Sequence, residues 1–176
     1  GEDLVFSTAT YAIRNNNVEN LTLMGTADLN GSGNASANII RGNSGANRLI
    51  GGADRDTLYG KNGNDIILGG IGNDNLFGNA GDDHLIAGNG NDRLIGGIGN
   101  DILKGGAGND VFWINTGAGR AVIKDYSSGS DKIKLLGGLT EDDLSFSNVG
   151  GHTRISDDDD LLAIVQNTIA DDLTFV

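Results

Sequence analysis

Between Gly51 and Trp113 the chain repeats one pattern of apolar and polar residues every nine positions. Because side chains alternate along a strand, a three-residue strand centred on the eighth position points that residue inward and its two neighbours outward. A single row cannot bury its own apolar residue, so the pattern predicts a solenoid of short stacked strands. The seven rows read GGADRDTLY, GKNGNDIIL, GGIGNDNLF, GNAGDDHLI, AGNGNDRLI, GGIGNDILK and GGAGNDVFW. Their eighth positions are Leu58, Ile67, Leu76, Leu85, Leu94, Leu103 and Phe112.

The other six residues of each row are typical of a tight turn. Glycine fills the first position in every row except the one that has Ala87, and the fourth in every row except the one that has Asp54. Glycine suits a loop with positive φ whose carbonyls turn towards a common point. The sixth position is an aspartate in every row: Asp56, Asp65, Asp74, Asp83, Asp92, Asp101 and Asp110.

This register resembles the RTX (repeats-in-toxin, haemolysin-type) calcium-binding nonapeptide G-G-x-G-x-D-x-U-x over residues 51–113. The resemblance implies an all-β parallel β-roll, in which six residues form a calcium-binding turn and three form a short strand. It also implies that the seven aspartates and the turn glycines bind the metal. Those glycines are Gly52, Gly63, Gly70, Gly72, Gly81, Gly88, Gly90, Gly97, Gly99, Gly106 and Gly108.

If two rows complete one coil, each turn lies against the turn two rows further along the chain, so that Asp56 faces Asp74 and Asp65 faces Asp83. Stacked coils lie about 4.8 Å apart, and these carboxylates would repel one another with nothing between them. Ca²⁺, which takes six to eight oxygen ligands, fits such a ladder better than Mg²⁺. We predict about five to seven ions. The alternative is a Gly/Asn/Asp-rich solenoid or disordered linker that binds nothing.

The segments before the strict repeat predict an irregular first coil or cap at residues 1–32, followed by a roll over residues 33–113. Leu21 and Leu23 alternate as in a strand. Two fainter rows begin at Gly33 and carry Asn38 and Asn47 at the sixth position. Because an amide is a neutral ligand, these turns should bind calcium weakly or close by amide hydrogen bonds.

Residues 114–176 break the period and predict a β-rich C-terminal cap. VIKDYSSGSDKIKL resembles the segment that follows the last repeat in RTX proteins, with Asp125 and Asp131 as the matching acids. The runs 153–156 and 161–165 flank four aspartates and predict a hairpin with an acidic, solvated turn. The final ADDLTFV resembles the export signals of type I secretion, although Thr174 interrupts its apolar run.

Charge and composition narrow the possible functions. The net charge of −12 argues against nucleic acid and anionic membranes as partners. The chain has no cysteine, no apolar run long enough to span a bilayer and no signal-peptide pattern. It begins at Gly1 without Met, so we expect a piece of a longer protein. His84 and His152 are isolated, and neither H-E-x-x-H nor G-x-S-x-G occurs, so we expect a non-catalytic module.

The outward positions form apolar rows, which are unusual on a soluble monomer. Flanking segments of the same chain could cover them, or they could be a partner or ligand surface. One row consists of Tyr59, Phe77, Ile95 and Trp113, and the opposite face carries Ile66, Leu68, Ile86 and Ile102.

Two function classes remain open. The first is a calcium-driven folding module of a larger secreted bacterial protein, exported unfolded by type I machinery and folded outside the cell or at its surface. The second is a polysaccharide-binding module, as in the alginate C5-epimerases that carry RTX repeats. A polyuronate would need a stripe of cations, and Arg41, Arg48, Arg93 and Lys104 do not share one face.

Overall fold

The computed structural model describes residues 3–116, 119–158 and 160–176. This part of the chain contains 17 β-strands, two short 3-10 helices (Glu141–Asp143 and Ala170–Asp172) and no α-helix. The strands are β1 (Leu4–Ser7), β2 (Tyr11–Ala12), β3 (Asn20–Leu23), β4 (Asn30–Ser32), β5 (Ile39–Arg41), β6 (Arg48–Ala53), β7 (Thr57–Asn62), β8 (Ile66–Ile71), β9 (Asn75–Ala80), β10 (His84–Asn89), β11 (Arg93–Ala107), β12 (Val111–Ile114), β13 (Gly119–Ile123), β14 (Lys132–Leu135), β15 (Leu144–Val149), β16 (His152–Asp157) and β17 (Asp160–Val165).

Successive strands of the roll alternate between two parallel sheets. Sheet 1 contains β1, β3, β5, β7, β9, the first part of β11, β12 and β14. Sheet 2 contains β2, β4, β6, β8, β10, the last part of β11, β13 and β17. Leu58 pairs with Leu76 in sheet 1, and Leu49 pairs with Ile67 in sheet 2. Both pairs join residues that lie two rows apart, so the predicted parallel β-roll with two rows per coil is confirmed.

The core is the space between the two sheets, and the eighth residue of each row fills it. All seven of these side chains, from Leu58 to Phe112, are 0% exposed. Fully burying a side chain of this size stabilises a fold by about 1.5–3 kcal/mol. The alternation along each strand therefore decides which face of the backbone turns inward.

The turns need glycine for two different reasons. At the second and fourth positions φ is positive, as in Gly70 (122°) and Gly72 (148°), and Lys61 and Asn79 adopt the same region at a cost. The first-position glycines were expected to share this conformation, and that expectation is wrong, since they do not have positive φ. Gly51 is glycine because a Cβ there would collide with the Asp56 carboxylate and, at 2.6 Å, with the Gly69 carbonyl oxygen.

The N-terminal strands form a less regular coil on the same stack. Leu4 pairs with Asn20, Tyr11 with Gly31 and Asn20 with Ile39, so the spacing between paired residues changes from one coil to the next. Leu21 and Leu23 point into the core, as their alternation predicts. Coils of different length can therefore belong to one solenoid, provided that their strands pair in parallel with those of the next coil.

The C-terminal segment continues both sheets, which confirms the predicted β-rich cap. In sheet 1, Phe112 pairs with Ile133 of β14, slightly beyond the two-row spacing, and in sheet 2 Ala121 of β13 pairs with Ala163 of β17. The predicted hairpin is present as β16 and β17, which are antiparallel, and β15 adds a third antiparallel strand. The cap thus covers the last coil with a change from parallel to antiparallel pairing.

The outward apolar rows stay on the surface. The rings of Tyr59 and Phe77 stack with their centroids 4.8 Å apart, and Ile66 on the opposite face is 41% exposed. The cap strands extend the sheets instead of lying across them. In the described part of the chain, the cap reaches only the C-terminal end of the sheet 1 row, where Lys134 and Val176 lie beside Trp113. Flanking segments therefore cover these rows only in part.

Candidate metal centre

The predicted aspartates form two ladders, one along each edge of the roll. In five of these aspartates, the backbone N–H donates to the Oδ1 atom of the repeat aspartate one coil further on. Asp56 N–H donates to Asp74 at 2.8 Å, Asp74 to Asp92 at 2.7 Å, and Asp65 to Asp83 at 2.8 Å. Edge 1 carries Asp56, Asp74, Asp92 and Asp110, and edge 2 carries Asp65, Asp83 and Asp101. All seven are at most 2% exposed.

The second carboxylate oxygen of these aspartates is left without a partner. Such a buried, unsatisfied carboxylate oxygen is costly in a folded protein, so its presence calls for a ligand. The Asp56 carboxylate lies in a recess between its own turn and the next, close to Gly51 and the Gly69 carbonyl. Buried Oδ2 atoms without a hydrogen-bond partner belong to Asp56, Asp65, Asp74, Asp83, Asp92 and Asp110.

Oxygen atoms of this kind suit a hard divalent cation. Within the described residues, no group of three or more His, Cys, Asp or Glu side chains could hold a metal. A cation between two ladder aspartates would therefore need main-chain oxygens as further ligands, which Ca²⁺ accepts readily. The carbonyl of Gly70 lies against Gly88, and the carbonyl of Gly72 against Gly90, so the turn glycines direct carbonyl oxygens along the stack. The residues present fit calcium.

The predicted site glycines lie in the turns or within the strands beside them. They fall into two groups by position, each with positive φ. The second-position group is Gly52, Gly70, Gly88, Gly97 and Gly106. The fourth-position group is Gly63, Gly72, Gly81, Gly90, Gly99 and Gly108. In both groups a side chain would collide with the main chain of the preceding coil on the same edge. The structure therefore brings these glycines to the same edges as the aspartates.

The two asparagine rows close without a free oxygen, as one of the two sequence expectations stated. The Asn38 Oδ1 accepts from Asn34 N–H at 2.8 Å, and its amide donates to the Glu19 carbonyl at 3.1 Å. The Asn47 amide donates to the Leu29 carbonyl at 2.8 Å and to the Asn43 side chain. The Asn38 and Asn47 Oδ1 atoms lie where the aspartates have their unpaired Oδ2, but each accepts a main-chain N–H and so needs no metal.

Sequence reasoning missed a second set of ladders, at the fifth position of the rows. Asn91 N–H donates to the Asn73 side chain at 2.7 Å, and Asn109 N–H to Asn91 at 2.8 Å. On edge 2, Asn100 N–H donates to Asp82 at 2.7 Å. The sequence does contain a signal for these ladders, because Asn or Asp fills the fifth position in six of the seven rows. These side chains stabilise the turns beside the metal centre.

Burial makes the ladder acids hard to ionise in the absence of metal. Removal from water raises the pKa of Asp56, Asp83 and Asp92 to about 7. It raises the pKa of Asp65, Asp101 and Asp110 to about 6. For Asp83, backbone donation from Asp65 opposes the rise, while the charges of Asp65 and Asp101 add to it. A counter-charge is therefore needed at neutral pH.

Without calcium, the roll is expected to become more stable as the pH falls. The folded pKa values of about 6 to 7 lie above the ordinary value of 3.8, so the folded chain binds more protons than the unfolded chain. The penalty is complete above about pH 7, shrinks as the pH falls, and vanishes below about pH 4. Circular dichroism of the calcium-free chain at about pH 5 and about pH 7.5 measures the difference as the fraction of β structure present at each pH.

Calcium should remove this acid stabilisation, because bound cations keep the carboxylates charged. The calcium-loaded protein, measured at the same two pH values, is the control and should show no gain in acid. A metal-free chain that is equally stable at both pH values would contradict the burial of ionisable ladders.

Matches to known proteins agree with this geometry. The fold and the site define a calcium-binding β-roll. Four stretches match the family described as RTX calcium-binding nonapeptide repeat, namely residues 32–67, 59–94, 68–103 and 86–120. The chain belongs to this RTX repeat family, whose repeats bind calcium.

Searches beyond the family gave solved structures but no curated relative. No curated protein matches the chain. Extracellular lipase LipA from Serratia marcescens matches at 17% identity and a TM-score of 0.47, covering 94% of this chain and 42% of the lipase chain. The AlgE6R3 subunit from the Azotobacter vinelandii mannuronan C5-epimerase matches at 27% identity and a TM-score of 0.31, covering 72% of this chain and 80% of the subunit. The chain thus spans less than half of the lipase structure.

A helix long and apolar enough to cross a membrane is absent from the described residues.

Proposed function

We propose that this chain is a non-catalytic, calcium-driven folding module of a larger secreted protein. The single observation that carries the proposal is the buried aspartate ladder with its unpaired Oδ2 atoms. The ions would be held by the seven ladder aspartates together with carbonyl oxygens of the turn glycines. Bound calcium supplies the positive charge that these buried carboxylates lack. The chain's own residues supply the stack, the turns and the core that place the oxygens.

The calcium affinity and the stabilisation expected of such sites suit a module that is unfolded inside the cell and folded outside it. Extracellular calcium sites bind at about 10⁻⁴ to 10⁻³ M, far above cytosolic calcium. Calcium at about ten times Kd stabilises the fold by about 1.4 kcal/mol per site. Five intervals between repeat aspartates would contribute roughly 7 kcal/mol, comparable to the whole stability of a domain. The chain would therefore stay unfolded in the cytosol and fold outside the cell or at its surface.

The C-terminal residues bear on export by type I machinery. In the folded chain Thr174 N–H donates to the Tyr126 hydroxyl at 2.8 Å, and Val176 N–H donates to the Ile133 carbonyl at 3.0 Å. Phe175 packs against Phe146 with ring centroids 5.8 Å apart. These contacts form only on folding, although Asp172, Thr174 and Val176 stay exposed in the folded chain. Before folding, a signal formed by residues 172–176 would be an unattached segment, which fits a module that is exported unfolded.

A calcium titration followed by circular dichroism tests the proposal. We expect β structure to appear between micromolar and millimolar calcium, and Asp83→Asn to raise the midpoint. Asp83 Oδ1 accepts from Asp65 N–H, while its Oδ2 is unpaired, so Asp83 serves the intervals on both sides. Losing two of about five sites costs about 2.8 kcal/mol, which, shared by the three remaining ions, moves the midpoint roughly fivefold.

The neighbouring residue provides a matched control. Asp82→Asn removes the same charge from an exposed side chain and leaves an oxygen to accept from Asn100 N–H. Its midpoint should stay close to that of the unchanged chain. Equal shifts for the two variants would show that net charge matters and the ladder does not. A β signal independent of calcium would refute the proposed function itself.

A second candidate function, binding of an acidic polysaccharide, has one observation in its favour. Arg41 stacks over Tyr59 at 5.4 Å and Lys134 over Trp113 at 5.0 Å, at either end of the outward row of sheet 1. Arg93 lines the groove between them. Aromatic and cationic side chains together suit the rings and carboxylates of a uronate chain. Retention on alginate oligomers, lost in Trp113→Ala, would distinguish this candidate from a folding module alone.

A further inference from the structure

Each unpaired Oδ2 atom belongs to the interval between its own coil and the next one along the chain. The Asp56 carboxylate lies beside the Gly69 carbonyl, and the Asp65 carboxylate beside that of Gly78. Both carbonyls belong to first-position glycines of the following coil. The first five unpaired aspartates each face an aspartate across that interval, and these pairs are 56/74, 65/83, 74/92, 83/101 and 92/110.

Asp110 is the sixth unpaired case, and its coil is the last one in the repeat. It is 0% exposed and its Oδ2 has no hydrogen-bond partner. The next strand of sheet 1 is β14, where Val111 pairs with Lys132 and Phe112 with Ile133. Asp131 is therefore the residue opposite Asp110. The other edge differs, because Asp101 lies opposite Ala121, which offers no carboxylate.

The Asp110–Asp131 hydrogen bond matches the hydrogen bonds between aspartates of the repeat. Asp110 N–H donates to Asp131 Oδ1 at 2.9 Å, the same distance as from Asp92 N–H to Asp110 Oδ1. Asp131 is 2% exposed, like the aspartates of the ladder. Its Oδ2 accepts from Ser127 N–H at 2.8 Å, which fixes the orientation of the carboxylate. Edge 1 therefore extends one step beyond the last repeat.

We propose that Asp110 and Asp131 hold a further calcium ion at the junction between the roll and the cap. The inference rests on the proposed function, since it extends the same kind of site to a residue outside the repeats. Asp131 lies beyond residue 120, where the family match ends. Its distance along the chain from Asp110 exceeds two rows, which hides it from any search for the nonapeptide period.

A further acid, Asp125, lies close to this interval. The Asp125 carboxylate accepts from Gly105 N–H and Gly106 N–H, both at 2.9 Å, on the turn that carries Asp110. Asp125 thus lies beside the turn of Asp110, at the edge of the interval between Asp110 and Asp131. Higher ligand charge strengthens calcium binding. Asp125 is satisfied by main-chain donors and contributes its charge.

An ion in this interval would fasten the cap to the roll. Asp131 belongs to the loop whose Tyr126 ring packs against Phe112 with centroids 6.4 Å apart. The Tyr126 hydroxyl donates to the Asp131 carbonyl at 2.9 Å and accepts from Thr174 N–H. The ion would thus order the segment that covers the end of the core. Closing of the cap would then depend on calcium, although the cap contains no repeat.

Counting bound ions tests the inference. Native mass spectrometry at saturating calcium should show one ion fewer in Asp131→Asn than in the unchanged chain, with circular dichroism confirming that the variant is folded. Asp142→Asn, which removes an exposed acid of the cap, is the matched control and should keep the full number. An equal count in Asp131→Asn and the unchanged chain would overturn the junction site. An unchanged chain that binds no calcium would instead overturn the proposed function.

A second measurement covers the case in which Asp131→Asn does not fold. Terbium replaces calcium and emits when a nearby aromatic ring transfers energy to it. Because Tyr126 contacts Asp131, a terbium ion at the junction should be sensitised by this ring. Emission excited through tyrosine should therefore fall in Tyr126→Phe and stay unchanged in Tyr11→Phe, at the far end of the roll. Equal emission from both variants would overturn the site.

Discussion

In excess chelator at neutral pH, residues 42–113 are expected to lose their β structure while the chain stays soluble. Without calcium, ionising these buried, stacked acids leaves them without a counter-charge, and burial makes that state unfavourable, since it raises the pKa of Asp56 to about 7 and that of Asp65 to about 6. Removing about five sites withdraws roughly 7 kcal/mol, enough to unfold a domain. The net charge of −12 keeps the unfolded chain from aggregating.

Hydrogen exchange measured by mass spectrometry locates the effect. Loss of protection should be greatest from β6 to β12, where the turns carry unpaired carboxylates. Replacing calcium by the same concentration of Mg²⁺ is the control, since Mg²⁺ keeps its water and should not restore protection. Protection that is unchanged in chelator would mean that the ladders tolerate their own charge.

Removal of the cap is expected to raise the calcium requirement several-fold and to cause aggregation. In a chain ending at Asn115, Phe112 and Ile114 lose the β14 strand that pairs with them, and Phe112 also loses the Tyr126 ring. Exposing two such side chains costs about 3 kcal/mol or more. It also leaves the backbone groups of β12 as an open edge, which other chains can pair with.

The truncated chain is compared with the full chain by calcium titration and by light scattering after size-exclusion chromatography. A variant with Val149→Ser in the exposed part of β15 is a useful control, because it changes the cap without opening the end of the core. If the 1–115 fragment folded at the same calcium concentration and stayed monomeric, the roll would not need this cap, and the tail would serve export or a partner.

The regular part of the molecule could be predicted because one local rule repeats. In each row an acid in the turn is followed by an outward residue and then by a core residue. The first row has Asp56, Thr57 and Leu58 in these places, and the last has Asp110, Val111 and Phe112. The same rule also describes Asp131, Lys132 and Ile133, so the junction acid had a local signal. The nine-residue period does not reveal Asp131, because the loop before it is longer than in the repeat. The length of that loop is set by how the cap packs against the roll.

Other features could not be predicted because they depend on distant contacts. The pairing of β13 with β17, which joins Ala121 to Ala163 across β14, β15 and β16, has no counterpart in the repeat. The role of the first-position glycines was misread, since their need comes from the approach of the Asp56 carboxylate and the next coil and not from their own φ. Whether the outward rows are covered depended on the direction in which the cap continues.

The uneven spacings at the two ends also determine how the coils align. Within the repeat, moving one strand along by a full coil would again place a leucine on a leucine and an aspartate on an aspartate, so the repeat alone cannot distinguish the correct alignment from a slipped one. The first coils differ from one another in length, and the step to β14 is longer than a repeat coil. These ends fit in one position only. The irregular ends therefore set the alignment of the strands, while the repeated units between them provide most of the stability.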